Sequence, residues 1–398
     1  MEGEQGGGGS RIKVVVISGP TAVGKSAIAE TLAQKEKLDA ELVSADSVQV
    51  YRGMDIGSNK PTAEERASVR YHLLDVVEPT EEYNAADFTA HARSVIGDIS
   101  SRGKLPIVVG GTGFYLQWLV FGRPGAPKPT EEAEEKARSA ILACEGSWEE
   151  AANRFRSLDE RYFDGLHGND WLRLQRMLEV SYTTGKPISS FERPQGKSLA
   201  VDQVSHALSC TDLDFRCFFL YRSRLEIFRD IDLRCELMLQ SGFLEEVSSL
   251  VASGKLRMGT GPAVENEDED GGGADRKDLD RELEAFIKDF QSVSRQFVRR
   301  QLTWFRSDPV FRWVQAADRA KAVEELEEAI GKEEQEFLRM YDEEEERRKQ
   351  EEARQSESSK EEQKLLKQYQ SQLTIYKDEG SRSSLLDSIL EMDVVKGE

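Results

Sequence analysis

Four cysteines in 398 residues, Cys144, Cys210, Cys217 and Cys235, leave little for covalent cross-linking. None forms a Cys-x-x-Cys pair, and none stands at metal-ligand spacing from His72, His91, His167 or His206. A disulfide framework and a zinc ribbon are thereby excluded, and reduced thiols in a cytosol-like compartment are expected. Long apolar runs are missing as well, so no segment is expected to span a bilayer. The first residues, Met1-Glu2-Gly3-Glu4-Gln5 and then glycines, carry no arginine before Arg11. That composition lacks the features of a secretory signal and of an organellar transit peptide, so a cytoplasmic protein without membrane contact is expected. Positive charge is also in deficit, with 54 Lys and Arg against 74 Asp and Glu and a net charge of −20. The deficit is uneven: residues 316–398 hold 24 acidic and 14 basic side chains, half of the net charge. The remainder is closer to balance, and a local basic face for nucleic acid is not excluded.

What the chain does have is a complete phosphate-binding loop. Residues Gly19 to Ser26 read Gly-Pro-Thr-Ala-Val-Gly-Lys-Ser, a G-x-x-x-x-G-K-[ST] motif. It follows the apolar run Val14–Ile17 and opens a helix-forming stretch from Ser26 to Gln34, the context the motif requires. Small residues let consecutive backbone N–H groups point inward around a phosphate, and the following helix adds its positive end. Lys25 brings a mobile cation and the Ser26 hydroxyl is an oxygen ligand for Mg²⁺. The motif announces a di- or triphosphate without saying what reaction follows.

From Arg11 to about Val120, short apolar runs at Val14–Ile17, Glu41–Ser44 and Pro106–Val109 alternate with helical stretches at Lys25–Lys35 and Ala85–Ser101. This is the pattern of parallel strands with crossover helices. Gly110-Gly111-Thr112-Gly113 closes the third run, and ligands lie at the carboxyl ends of such strands, so both glycine turns are expected at one crevice. The fold class is therefore α/β: a P-loop-type parallel sheet with flanking helices, a helical insertion domain and a long charged C-terminal helix. Residues 1–10 are read as a flexible leader, 11–121 with 201–315 as the catalytic core, 122–200 as the insertion, 265–278 as an acidic disordered loop and 316–398 as a charged tail. Within these, Asn169-Asp170 precedes a helix to about Thr183, Leu208–Tyr221 is expected to return to the sheet, Leu225–Ser253 and Leu279–Arg306 are helical, and a charged helix runs from Lys321 to about Ile375.

Several side chains carry chemistry with two readings open. Asp46 follows the second strand in Ser44-Ala-Asp-Ser-Val-Gln-Val-Tyr51 and suits Mg²⁺ binding or general-base work, or equally a helix N-cap with Ser47. Gln49 and Tyr51 reach a ligand or hold the turn. Lys60 reaches a phosphate or is an exposed turn lysine, and His72 with Asp75 suggests a polar pair. Arg173 and Arg176 share one helix face, with Arg154, Arg156 and Arg161 upstream. Arg295, Arg299, Arg300 and Arg306 flank Trp304-Phe305, a mixture suited to phosphate contact and base stacking, although salt-bridged faces account for both clusters equally well. Arg222, Arg224, Arg229 and Arg234 offer bidentate contacts to a pyrophosphate or simple surface pairing.

Taken together the segments resemble the tRNA dimethylallyltransferases, also called tRNA isopentenyltransferases, in the plant-type branch similar to bacterial enzymes. The matching stretches are Gly19–Ser26, Ser44-Ala-Asp-Ser-Val-Gln-Val-Tyr-Arg-Gly-Met-Asp-Ile-Gly57, His72-Leu-Leu-Asp75, Pro106-Ile-Val-Val-Gly-Gly-Thr-Gly-Phe-Tyr115, Asn169-Asp170 with Arg173 and Arg176, Leu178-Glu-Val180 with Gly185-Lys-Pro187, Arg234 to Val247, and Arg299-Arg-Gln-Leu-Thr-Trp-Phe305. They occur in family order over about residues 12–314. The resemblance implies transfer of a dimethylallyl group from dimethylallyl pyrophosphate to N6 of the adenosine on the 3′ side of a tRNA anticodon, with turnover of the modified tRNA a source of cis-type cytokinins. It implies Asp46, Thr21, Lys25 and Arg234 as catalytic, and Gly19, Pro20, Thr21, Ala22, Val23, Gly24, Lys25 and Ser26 as the pyrophosphate cradle with Mg²⁺ on Ser26. It implies Asp46, Ser47, Val48, Gln49, Thr112, Leu172, Arg173, Leu174, Gln175 and Arg176 as contacts to the tRNA anticodon stem-loop of a monomeric enzyme. The sequence departs from the family in two places. It lacks the zinc-finger tail of some eukaryotic relatives. Where the family has an Ile-Gly-Tyr-type tRNA contact it holds Met258–Val264 and an acidic run, the segment being either lost or diverged. Rival readings are a prenyltransferase for free AMP, ADP or ATP, a small-molecule kinase, and a non-catalytic RNA-binding or coiled-coil scaffold.

Overall fold

The apolar runs become the strands of one sheet in the computed structural model, which describes residues 11–122, 125–191, 199, 201–256, 276–341, 362–371 and 373–391. The expected leader and Met258–Val264 lie outside the described residues. The chain forms two compact units, one of residues up to Val120 and from Gly196 onward, the other Phe121–Gln195.

The first unit begins with β1 (Lys13–Ser18), α1 (Lys25–Ala33), β2 (Ala40–Ser44), α2 (Ala63–Ser68), β3 (Tyr71–His72), α3 (Ala85–Ser101), β4 (Leu105–Val109) and α4 (Gly113–Phe121). The second unit supplies α5 (Glu131–Leu142), α6 (Trp148–Phe155), α7 (Glu160–Phe163) and α8 (Trp171–Thr184). The first resumes with α9 (Val204–Ser209), β5 (Asp214–Tyr221), α10 (Arg224–Gln240), α11 (Phe243–Ala252), α12 (Arg276–Arg306), β6 (Arg312–Gln315) and α13 (Arg319–Gly331).

All strands are parallel, in the order β3-β2-β4-β1-β5-β6. Val16 of β1 stands beside Val108 of β4 and Cys217 of β5, and Val43 of β2 stands beside Val108 and His72. Val14 to Ile17 are wholly buried, which is why their run shows no polar alternation: a parallel sheet is covered on both faces. Helix starts are capped by local chemistry. Thr62 with Glu65 and Asn84 with Asp87 form reciprocal capping boxes for α2 and α3.

The expected helix from Leu225 to Ser253 is two helices, because Gly242 adopts φ 94°, a left-handed conformation that an L side chain resists. The second unit has its own core around Ala137, Phe155, Phe163, Leu174, Met177 and Leu178. The acidic stretch 265–278 lies mostly outside the described residues, and its last three, Arg276–Asp278, already belong to α12.

The C-terminal part corrects the expectation of one charged helix from Lys321 to about Ile375. α13 stops at Gly331, and residues 334–341 form a separate helical piece. Arg216, wholly buried on β5 beside Asp214 at 2.9 Å, donates to the carbonyls of Ala329 (3.1 Å), Ile330 (3.0 Å) and Lys332 (2.6 Å). A strand arginine thus closes the carbonyl end of α13. Phe337 and Tyr341 are buried, with Phe337 edge-on to Phe218 at 5.8 Å. Apolar residues among many charges therefore mark core contacts and not a solvated helix. Among the described residues no helix is long and apolar enough to cross a membrane.

Candidate active site

The phosphate-binding loop fills the turn between β1 and α1. Its backbone is held open by contacts from elsewhere in the first unit. The Thr21 N–H donates to Gln301 Oε1 at 2.9 Å, and Gln301 Nε2 donates to the Gly111 carbonyl at 3.2 Å. Gln301, buried on α12, therefore stitches the turn after β1 to the turn after β4. The Gly110 N–H donates to the Ile17 carbonyl at 3.2 Å, so both glycine turns meet at one edge of the sheet, as expected. Ala22 takes a left-handed φ of 64° within the loop. Val23 is 2% exposed and has only its backbone to offer a ligand. The first turn of α1 presents N–H groups that helix geometry leaves without intrahelical partners. Lys25 Nζ donates to the Pro20 carbonyl at 2.8 Å, folding the ammonium back over the loop.

Asp46 stands at the end of β2, next to that edge. The Ala45 N–H donates to the Val109 carbonyl at 2.8 Å, and a Cβ on Gly110 would lie 2.2 Å from the Ala45 carbonyl oxygen. Only glycine allows β2 and β4 to approach so closely there. Asp46 Oδ1 accepts the N–H of Val48 (2.8 Å) and of Gln49 (3.3 Å), which caps a turn and not a helix. Thr112 Oγ1 accepts the Ser47 N–H at 3.2 Å.

The Asp46 carboxylate acts on two cations. Desolvation lowers the Lys25 pKa to about 8, opposed by Asp46 and reinforced by Arg234. Desolvation likewise lowers the Arg234 pKa, while Cys235 and Asp46 act to raise it. Arg234 comes from α10, and its Nε is buried without a hydrogen-bond partner. An orphaned guanidinium nitrogen, a desolvated ammonium and a helix N-terminus form a site short of negative charge.

Gln49 holds the turn rather than waiting for a ligand: it accepts from Ser44 Oγ (2.9 Å) and donates to the carbonyls of Ser58 (3.2 Å) and Asn59 (3.1 Å). Lys60 is neither an exposed lysine nor free to reach a phosphate. Its ammonium is buried against Asp55 (2.7 Å), Asp75 (2.6 Å) and the Tyr51 carbonyl (2.5 Å). His72 bonds to Glu41 at 2.7 Å, while Asp75 serves Lys60 and Arg66, so the expected His72–Asp75 pair does not form. Glu246 accepts the N–H groups of Asp55, Ile56 and Gly57 at 2.7, 2.7 and 2.9 Å and fixes the loop. Beside this loop a cavity of about 620 Å³ is lined by residues including Ile56, Lys60, Arg234, Leu237 and Met238.

The arginine clusters divide. Arg295 is consumed by an ion pair with Asp232, Arg222 by Asp230 (2.7 Å), and Arg224 by Glu362 (3.4 Å). Arg299 lies over Phe228, with 5.5 Å to the ring centroid. Arg299 and Arg300 remain exposed and, with Thr303, Trp304 and Ser307, line a shallow cavity of about 390 Å³. In the second unit Leu172 is 81% exposed and Arg173 is exposed beside Asp170. Leu174, expected as a tRNA contact, is instead buried in that unit's core, because it falls on the apolar face of α8. Gln175 donates to Glu179 at 2.8 Å and Arg176 to the Pro127 carbonyl at 2.9 Å.

Gln301 and Glu246 were not singled out from sequence. Both are polar residues on amphipathic helices whose partners are backbone N–H and carbonyl groups far along the chain. The available signal was a polar side chain at a core position of the helical repeat. No group of three or more His, Cys, Asp or Glu side chains able to hold a metal occurs among the described residues. The Ser26 hydroxyl is exposed at the first turn of α1 and fits a Mg²⁺ ion that takes most of its ligands from a phosphate and water.

The family model for IPP transferases matches residues 49–308. A tRNA dimethylallyltransferase 9 from Arabidopsis thaliana is 37% identical over 341 residues, 77% of this chain and 72% of its own. A tRNA dimethylallyltransferase from Geobacter sulfurreducens is 39% identical, covering 77% of this chain and 93% of its own. Among solved structures, a eukaryotic dimethylallyltransferase acting on tRNA superposes with TM-score 0.56 at 28% identity, over 78% of this chain and 75% of its own. The tRNA isopentenylpyrophosphate transferase of Staphylococcus epidermidis gives 0.51 at 27% identity, over 80% and 99%. With about two-thirds of its length matched by one family model, and relatives 37% and 39% identical over 77% of it, the chain belongs to the IPP transferase family.

Proposed function

We propose that this protein transfers a dimethylallyl group from dimethylallyl pyrophosphate to N6 of an adenosine on the 3′ side of a tRNA anticodon. One observation carries the reading: the turn after β4 is bonded to the phosphate loop through Gln301 and to the Asp46 turn through Thr112, so a phosphate cradle with Lys25 and a carboxylate lie side by side, with Arg234 close enough to Lys25 to be felt there. A diphosphate ester there meets two cations and the N–H groups of the loop and α1. In the displacement the N6 lone pair forms a bond to C1 of the prenyl chain as the C1–oxygen bond breaks. The electron pair leaves with the diphosphate, and the N6 proton passes to Asp46. Lys25, Arg234 and the loop stabilise charge that grows on the leaving oxygen, which is the charge a transition state most needs held. Thr21 is tied to Gln301 through its N–H, which anchors the backbone of the loop at that residue. The Ser26 hydroxyl would give Mg²⁺ one oxygen ligand, and the ion supplies positive charge to the diphosphate. The cavity beside Arg234, with Ile56, Leu237 and Met238 in its wall, is where this reading places the five-carbon chain. The target adenine must leave its stack to reach Asp46. Ser47, Val48 and Thr112 at the mouth and Leu172 and Arg173 of the second unit are its proposed tRNA contacts. The reading takes the enzyme to act as a monomer in the cytoplasm.

Labelled dimethylallyl pyrophosphate offered in parallel with tRNA, AMP and ATP tests it. Label is expected in tRNA as N6-prenyladenosine by mass spectrometry of the digested product. Label only in mononucleotide would favour the free-nucleotide enzyme. Retention of tRNA without any product would leave a binding protein.

A further inference from the structure

We infer that the described residues of 362–391 form an intramolecular strap that sets the position of Arg234 from behind, making the far end of the chain a positioning element for diphosphate binding. This rests on the functional reading above, and the strap lies beyond residue 308, where the family match ends.

The strap follows one face of α10 from end to end. The Glu362 carboxylate accepts the Arg224 N–H at 2.9 Å, capping the first turn. The Tyr369 ring packs edge-on to Phe228 with centroids 5.6 Å apart, and its hydroxyl donates to Asp232 Oδ2 at 2.7 Å. Asp232 also pairs with Arg295, which lies over the Tyr369 ring, so α12 is drawn into the same knot. Glu236 is wholly buried. Its carboxylate accepts the backbone N–H groups of Thr374 (2.9 Å), Ile375 (2.6 Å) and Tyr376 (2.9 Å), and Gln291 Nε2 stands 3.4 Å away. Leu239 completes the row in a cluster with Tyr376, Leu385 and Leu386 of the strap and Leu283 and Ile287 of α12. Arg382 with Asp280 (2.8 Å) and Arg276 with Asp387 (2.7 Å) tie the end of the strap to α12.

Positions 224, 228, 232, 236 and 239 recur at helical spacing, so they form a single stripe. At ~100° per residue, Arg234 is ~200° from both Asp232 and Glu236 and therefore faces away from the strap. The strap touches the back of the helix whose front presents Arg234 to the loop. Glu236 gives it a fixed station: three consecutive N–H groups on one buried carboxylate define the helix's height and rotation, and releasing them would strand a buried charge. Arg234 works in a desolvated setting with its Nε unpartnered, where a small shift of the helix is felt strongly.

The test uses the full chain with Glu236→Gln and Tyr369→Phe together, and inorganic pyrophosphate as the probe, measured by calorimetry. Binding is expected to weaken by about tenfold in the presence of Arg234 and by less than about twofold in an Arg234→Ala background, because coupled residues are non-additive. Equal losses in the two backgrounds would overturn the inference, since a general loss of structure does not care which residue sits at 234. Unchanged binding in both would overturn it too. Glu362→Ala, which removes a half-exposed cap, is read by the same rule if melting curves show the double substitution unfolded. Pyrophosphate binding needs no tRNA, so a wild-type protein that binds pyrophosphate but transfers no prenyl group defeats the functional reading and leaves this test standing.

Discussion

Lys25 is pulled in opposite directions. Burial and Arg234 disfavour its charged form, Asp46 favours it, and the balance leaves a pKa of about 8 in place of 10.5. With the site empty the ammonium is charged below that value and neutral above it, so a cation for the diphosphate is lost as pH rises through about 8. A bound diphosphate favours the charged form and moves the change upward. Pyrophosphate affinity is therefore expected to fall by about tenfold between pH 7.5 and 9.5, a loss of roughly one favourable charge contact. Lys25→Arg, charged throughout, should bind with a flatter profile, and equal profiles in a calorimetric titration would remove Lys25 from the site. Asp46 plays two parts, accepting the N–H groups of Val48 and Gln49 while facing the cations. Alanine would break both. Asp46→Asn keeps an acceptor for the turn while removing the base and the charge that faces the cations, and is expected to lower single-turnover transfer by a factor on the order of 10² or more while pyrophosphate binding persists. Unchanged transfer would end the catalytic assignment.

Elements were legible where their own residues specify them. Continuous Val and Ile runs with capped helices between them announce a parallel sheet, and α3 begins and ends where its sequence pattern does. The phosphate loop was legible for the same reason, being a local motif. What the sequence hid depends on partners distant in the chain. Lys60 looks exposed until Asp55 and Asp75 surround it, Leu174 looks available until α8 packs it inward, and the tail looks solvated until Phe337 meets Phe218 and the N–H groups of Thr374 to Tyr376 meet Glu236. Glu41 shows the same physics in the sheet. It is 3% exposed on β2, yet it receives His72 of β3 at 2.7 Å and Arg102, at the end of α3, at 2.8 Å. The Arg102 hydrogen bond leads in lowering its pKa from 4.5 to about 2, against the desolvation of burial. A depressed carboxylate contributes stability above its unfolded pKa and loses it as pH falls, here between about 4.5 and about 2. Glu41→Gln is expected to cost about 3 kcal/mol at neutral pH, and the gap to wild type should close towards pH 2. Denaturant melts across that range would expose a wrong assignment as a gap that stays constant with pH.

At the scale of the whole molecule the difficulty is charge: a net −20 must bind an anionic polymer. Half of that charge lies in residues 316–398, and much of what is described there is spent on internal pairs and capping contacts, as with Glu327 on Lys35 and Glu362 on the Arg224 N–H. Affinity for tRNA must then come from a few unspent cations, and each that meets a phosphate releases counterions and steepens the salt dependence. Composition cannot tell spent arginines from unspent ones, but hydrogen bonds can. In the helical unit Arg173 is exposed with a long contact to Asp170 at 3.4 Å, whereas Arg176 is half-buried and donates to the Pro127 carbonyl. The two were equivalent by spacing and differ in what they have free to give. Arg173→Ala is expected to reduce the slope of log affinity against log salt by about 1, and adding Arg176→Ala to change it little further. Filter binding of tRNA at several salt concentrations measures both. A slope unaltered in the double variant would assign the pair to the scaffold of the helical unit and move the search for phosphate contacts to Arg299 and Arg300, the exposed cations beside Trp304.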